Sequence, residues 1–272
     1  TYTPNQMLES RWWHRYIENT SRDYSPEKAE EAWRDIQTMY KKLDDIIGEA
    51  MKNADGNTLI VLSSDHGIAH LEKQVKLNNL FAQKGWLNFT VNPANGEPIV
   101  DWNRTKVIYL KMAHIYVNPD GLAGPWKRGS GTEYEKLIDE VIATLRNLTD
   151  EDGTKPLVNA VKWEDAPAFF ELPTDRVGDV VVEVKKGYQW LEEMDGNLTI
   201  FAEPLTSGYK QANNPNDKDM WTPFVIWGPG VKEGFNLNES INHVDQMPTI
   251  LKLMGIEIPS YVQGRILTEV IK

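Results

Sequence analysis

Residues 63–67 read Ser-Ser-Asp-His-Gly, directly after the apolar run Thr58-Leu59-Ile60-Val61-Leu62. A carboxylate beside an imidazole offers one oxygen and one nitrogen donor, a pair suited to Zn²⁺ or Mn²⁺. The pair follows what reads as a buried strand, and in open α/β sheets ligands gather beyond the carboxyl ends of strands. Gly67 would let the backbone turn sharply beside an ion. The competing reading is a structural turn in which Asp65 caps the backbone. The chain has no Cys, so His, Asp and Glu must supply any transition-metal site. His14, His70, His114 and His243 are the other histidines. His114 lies in a strand-like run and reads as a packed histidine. His243 and Asp245 precede a short helix, which suits Asp245 to capping.

Several elements would hold Asp65 and His66 in place. Ser25-Pro26 reads as a helix start, with Ser as N-cap and Pro at the first position. Apolar residues from Ala29 to Ala50 recur at helical spacing, and Asp55-Gly56 closes the segment. The strand 58–62 is apolar throughout, a pattern of strands covered on both faces. Helical spacing recurs at 76–84, 133–148 and 248–254, and strand-like runs at 85–91, 106–112, 178–184 and 222–227. Alternating helices and strands predict an α/β fold with a mostly parallel sheet flanked by helices on both faces. Residues 86–165 are less regular and read as an inserted α+β subdomain between core segments 1–85 and 166–272.

Composition removes several function classes. The chain has 272 residues, 25% charged and 40% hydrophobic, with 40 acidic against 29 basic residues. A net charge of −11 disfavours a nucleic-acid binder, which needs a basic face for phosphates. No run of 18 apolar residues supports a transmembrane helix. Asn-x-Ser/Thr sequons stand at Asn19, Asn88, Asn103, Asn147, Asn197 and Asn238. Roughly two would arise by chance, so the excess points to a secreted, periplasmic or cell-surface glycoprotein. Unused sequons in an Asn-rich chain are the other reading.

Four segments in order carry a resemblance: "YKKLDDIIGEAM" leading into "NTLIVLSSDHG", then "TPFVIWGPGVKEG", then "HVDQMPTILKLMGIEIPSYVQGRIL". Together they resemble the alkaline phosphatase superfamily, and within it the type I phosphodiesterase/nucleotide pyrophosphatase group, over residues 10–85 and 175–270. The resemblance implies a sheet flanked by helices, one or two divalent ions (zinc, with manganese as the alternative) and a Thr or Ser nucleophile. It maps Asp65 and His66 onto ligands of one metal. It implies that the nucleophile and a further metal-binding aspartate lie in an N-terminal portion of the same protein, upstream of Thr1, which would be this chain's partner.

The chain departs from that pattern at two further places. Where the family has Asp-x-x-x-His, this sequence has Ser10-Arg11-Trp12-Trp13-His14. By the resemblance His14 would be a remnant ligand, and Ser10 is a neutral hydroxyl that binds a dication far more weakly. Where the family has Gly-x-His, this chain has Gly208-Tyr209-Lys210. Lys210 could contact a phosphate as a point charge or be a solvated loop lysine. Two readings follow: a metal-dependent phosphate-ester hydrolase whose isolated 272 residues are inactive, or a non-catalytic member kept as an extracellular binding or scaffold glycoprotein that holds no metal.

Overall fold

The computed structural model describes residues 13, 15–19, 21, 23–204, 208–209 and 217–272. The chain divides into two compact units. The larger holds residues 3–36 and 66–221, and the smaller 37–65 and 222–272.

The larger unit is built on two sheets. β5 (Val107–Leu110), β6 (His114–Val117), β8 (Val180–Val184) and β7 (Leu157–Lys162) form an antiparallel sheet in the order β5-β6-β8-β7. Helix α3 (Thr132–Arg146) packs on β6 and β7, burying Tyr134, Leu137, Ile138, Val141, Ile142 and Leu145. That set follows the helical period, so one stripe faces the sheet. In the second sheet, β2 (Ala69–Lys76) pairs in parallel with β9 (Gly187–Leu191) and antiparallel with β10 (Phe201–Ala202) and β11 (Gly208–Tyr209). β3 (Phe89–Val91) and β4 (Pro98–Val100) form a hairpin. Helix α2 (Leu77–Gln83) follows β2 without a break. Its Asn78 side chain, fully buried, donates to the Tyr109 and Glu192 carbonyls (3.0 and 2.8 Å) and accepts the Tyr109 N–H (2.8 Å). An amide with both ends satisfied ties α2 to β5 and to the chain just beyond β9 at little desolvation cost.

The smaller unit has one strand pair, β1 (Ile60–Leu62) with β12 (Val225–Trp227), antiparallel. It also has helix α5 (Gln246–Leu253). The long helix α1 (Pro26–Lys52) starts as its sequence predicts, with the Ser25 hydroxyl accepting the Lys28 N–H at 3.3 Å. Its residues 26–36 belong to the larger unit and 37–52 to the smaller.

The α/β class read from the sequence holds, but the mostly parallel sheet does not extend through this chain. Among the described residues only β2–β9 pair in parallel. Runs such as Val107-Ile108-Tyr109 and Val180-Val181-Val182 are buried throughout. Continuous apolar strands report cover on both faces, and an antiparallel sheet covered twice produces them as well. The short turn at 111–113, where Met112 and Ala113 adopt positive φ, forces β5 and β6 into a hairpin. The sheet of the expected insert, 86–165, takes its fourth strand from β8, beyond that segment.

Two buried carboxylates organise the larger unit. Asp179 is fully buried and accepts the Tyr134 hydroxyl (2.6 Å) and the Val117 N–H (2.7 Å). The Arg128 guanidinium lies 3.5 Å away, stacked 4.2 Å from the Trp163 ring centre and 5.1 Å from Trp126. Burial pushes the Asp179 carboxyl above the usual carboxylate range. Asp150 contrasts with it. Burial would raise that carboxyl too, but hydrogen bonding around it, with Asp152, Lys73 (2.6 Å) and the Tyr188 hydroxyl, outweighs burial and holds it low.

Arg128→Ala leaves the Asp179 carboxylate buried without its cation, and is expected to cost about 3 kcal/mol in urea unfolding, with Arg128→Lys recovering only part. Because the Asp150 carboxyl is depressed in the folded state, its contribution is present above the unfolded value of 3.8 and is lost as pH falls toward the folded value. Asp150→Asn is therefore expected to lower the urea midpoint at neutral pH and to flatten its decline below about pH 4.

Candidate functional site

The loop 63–68 joins the end of β1 to the start of β2 and carries both predicted metal donors. Asp65 is solvent-exposed and closes the smaller unit's first segment. His66 is half-buried and opens the larger unit's second. The His66 Nδ1 lies 2.7 Å from the Gly67 carbonyl oxygen. A carbonyl only accepts, so Nδ1 is the donor in this contact. Metal-binding histidines are oriented in this way, with the second ring nitrogen donating to a carbonyl or carboxylate.

Gly67 serves a different purpose from the turn its sequence suggests. Its N–H donates to the Met220 carbonyl at 2.9 Å. A Cβ at this position would sit 1.9 Å from the Asp219 carbonyl oxygen, closer than any real contact allows. Glycine is therefore required because two backbones touch, not because the chain bends. The segment it touches is the turn Lys218–Met220, capped by the Asp217 side chain, which accepts the Asp219 N–H at 3.0 Å. The Lys186 ammonium pairs with the Asp219 carboxylate, and that hydrogen bond raises the Lys186 pKa. Lys186, Asp217 and Asp219 were not singled out in the sequence. They are distant along the chain and belong to no periodic pattern, so the Gly67 contact is what reveals them.

In the smaller unit, the β1 end is fixed by side chains from α5. The Ser63 hydroxyl donates to Gln246 Oε1 at 2.7 Å, and Gln246 Nε2 donates to His243 Nδ1 at 3.4 Å. The Thr222 hydroxyl donates to the Ser64 carbonyl at 3.2 Å. Asp245 is the capping residue that its sequence position suggests. It accepts the Asn242 N–H at 3.2 Å and the Arg265 N–H at 2.9 Å, in a reciprocal box with Asn242.

His14, Ser10 and Lys210 lie outside the described residues, as does the side chain of His70. Half-buried His114 packs in β6, where burial lowers its pKa and its Nδ1 accepts the Gly178 N–H at 3.4 Å. Among the described residues no three His, Asp or Glu side chains are gathered as a metal centre requires. A zinc centre takes three or four protein ligands. Asp65 and His66 are apt donors by chemistry, but the described residues do not complete a site around them. Of the sequon asparagines, Asn19, Asn103, Asn147, Asn197 and Asn238 are exposed. Asn88 is half-buried and donates through Nδ2 to the Arg104 carbonyl at 2.8 Å.

Gly67→Ala is expected to cost about 1–3 kcal/mol through forced displacement of the 217–221 segment. Gly48→Ala, with nothing near its Cβ and a helical backbone, serves as the control, expected to be neutral or stabilising by up to about 1 kcal/mol. Thermal unfolding of both variants checks the pair.

A family model described as type I phosphodiesterase / nucleotide pyrophosphatase matches residues 12–214. Alkaline phosphatase PafA of Elizabethkingia meningoseptica is 23% identical over 253 residues, covering 87% of this chain and 42% of its own length. The extracellular sulfatase SULF-1 homologue of Drosophila melanogaster is 31% identical over 103 residues, 35% of this chain and 9% of its own. Among solved structures, human ectonucleotide pyrophosphatase / phosphodiesterase 5 superposes with a TM-score of 0.57 at 18% identity, over 99% of this chain and 56% of that one. Its murine counterpart gives 0.52 at 16%, over 98% and 62%. At such identities the two structures report the fold, which is alkaline-phosphatase-like. The chain spans less than half the length of PafA and a little over half of the human structure. The match over residues 12–214 makes this chain a member of the type I phosphodiesterase/nucleotide pyrophosphatase family, within the alkaline phosphatase superfamily.

Proposed function

We propose that the chain is part of a metal-dependent phosphate-ester hydrolase, with the Asp65 carboxylate and His66 Nε2 as two ligands of a divalent ion, zinc or manganese. The observation that supports this reading is the His66 ring orientation, with Nδ1 2.7 Å from the Gly67 carbonyl oxygen, the way a metal-binding histidine is commonly oriented. Family membership supplies the reaction class. The bound ion would supply Lewis acidity toward a phosphoryl oxygen. The chain's own contribution is to orient His66 and to hold its loop through the Gly67–Met220 hydrogen bond. The remaining ligands, His14 among them, and the attacking hydroxyl lie outside the described residues. Lys210 would contact the phosphate. On this reading, residues 1–272 alone are inactive.

A second reading is favoured by two identities, Ser10 and Lys210, at positions where the family places metal donors. On that reading the protein is a non-catalytic binding or scaffold glycoprotein. Both readings place it outside the cytoplasm. Support comes from the sequon excess and the similarity to extracellular sulfatases. No helix among the described residues is long and apolar enough to cross a membrane.

In the complete natural polypeptide, His66→Ala is expected to lower hydrolysis of bis(p-nitrophenyl) phosphate by about a hundredfold, the usual scale for damage to a metal site. Added Zn²⁺ or Mn²⁺ should restore the metal-stripped wild type. An unchanged rate in the variant would rule out His66 as a ligand, and no rate in the wild type would favour the non-catalytic reading.

A further inference from the structure

Val184 ends β8 and Gly187 begins β9, so a tight turn joins the two strands. The Tyr188 N–H donates to the Lys185 carbonyl at 3.0 Å, and Gly187 takes φ 88°. A type II turn demands positive φ at its third position, and glycine supplies it without strain. The turn is tied down on both sides. The Lys185 N–H donates to the Pro156 carbonyl at 2.7 Å, and Gly187 stands in register with Leu71 of β2. Val184, Gly187 and Tyr188 are buried, whereas Lys186 is exposed. Its side chain therefore leaves the sheet from a fixed backbone position.

Three carboxylates from two other segments act on the Lys186 ammonium. Asp219 accepts its hydrogen bond, Asp217 lies 3.8 Å away, and Glu18 adds a longer-range attraction. Asp217 and Asp219 belong to the turn whose backbone touches Gly67. Without a cation between them, their like charges would repel. Glu18 closes an N-terminal turn, its N–H donating to the Trp13 carbonyl at 3.1 Å. Trp13 in turn packs edge-on against Trp33 of α1, ring centres 5.3 Å apart. All these groups lie in the larger unit, as do His66 and Gly67. An isolated exposed ion pair is worth little, partly because both partners must be ordered. Here the backbones on both sides are already held.

We propose that Lys186 is a positioning residue for the candidate metal centre: its ammonium holds the 217–220 turn, and through that turn the loop carrying His66, beside the N-terminal turn at Glu18. This rests on the reading of His66 as a metal ligand. Lys186 touches neither metal nor substrate in this role. It sets how firmly the His66 ring is presented, and hence how tightly an ion is bound.

The complete natural polypeptide tests this in two readouts, with Lys186→Met, Lys186→Arg and His66→Ala beside the wild type. In the metal-stripped protein, Lys186→Met should speed exchange of the Gly67 amide by about fivefold, the upper scale of an exposed ion pair. Its Zn²⁺ dissociation constant, measured by competition with a chromophoric chelator, should rise by about the same factor. Lys186→Arg should recover most of both. Combining Lys186→Met with Asp219→Asn should do little more than either change alone, as for partners in one pair. Faster Gly67 exchange with unchanged zinc affinity would make Lys186 a structural residue and overturn the proposal. No change in either readout would overturn it as well, and zinc loss in His66→Ala would then leave the metal reading standing. A His66→Ala variant that binds zinc as the wild type does would remove the metal reading, and the positioning role with it.

Discussion

The loop that carries His66 depends on a backbone-to-backbone contact. Gly67 lies against Asp219 and Met220 so closely that no side chain fits between them. The hydrogen bond from its N–H to Met220 fixes the loop that carries His66 onto a turn more than 150 residues away in sequence. As a metal ligand His66 would need that loop to be held. A half-buried imidazole on a moving loop would pay the entropy of ordering at the moment of binding, and affinity would fall accordingly. The Lys186–Asp219 ion pair and the Asp217 cap stiffen the other side of the contact. They place their cost in the folding of the larger unit, where a well-packed apolar core can bear it.

Much of this was legible along the chain. The start of α1 at Ser25-Pro26 and the apolar stripe of α3 follow from local rules, because capping and amphipathic spacing are short-range effects. The Asp-His pair at a strand end was visible for the same reason, since strand, loop and donors are contiguous. Pairing was not legible. Val180-Val181-Val182 is apolar throughout in either kind of covered sheet, so its sequence cannot distinguish a parallel neighbour from an antiparallel one. Nor could the sequence give the true reason for Gly67. A close approach depends on where residues 217–220 pass, and that is set by long-range packing.

The apolar strand 58–62 is where sequence and structure differ most informatively. Its composition asks for cover on both faces, and the chain gives it a single neighbouring strand among the described residues. The larger unit shows what satisfied strands look like, with β5 and β8 buried residue after residue.

The most direct test of the central claim is elemental analysis of the complete natural polypeptide after exhaustive dialysis, alongside the Asp65→Ala/His66→Ala double variant. At least one zinc or manganese ion per chain is expected in the wild type, and loss of an ion in the variant. A wild type free of metal, or a double variant that keeps its full complement, would contradict it.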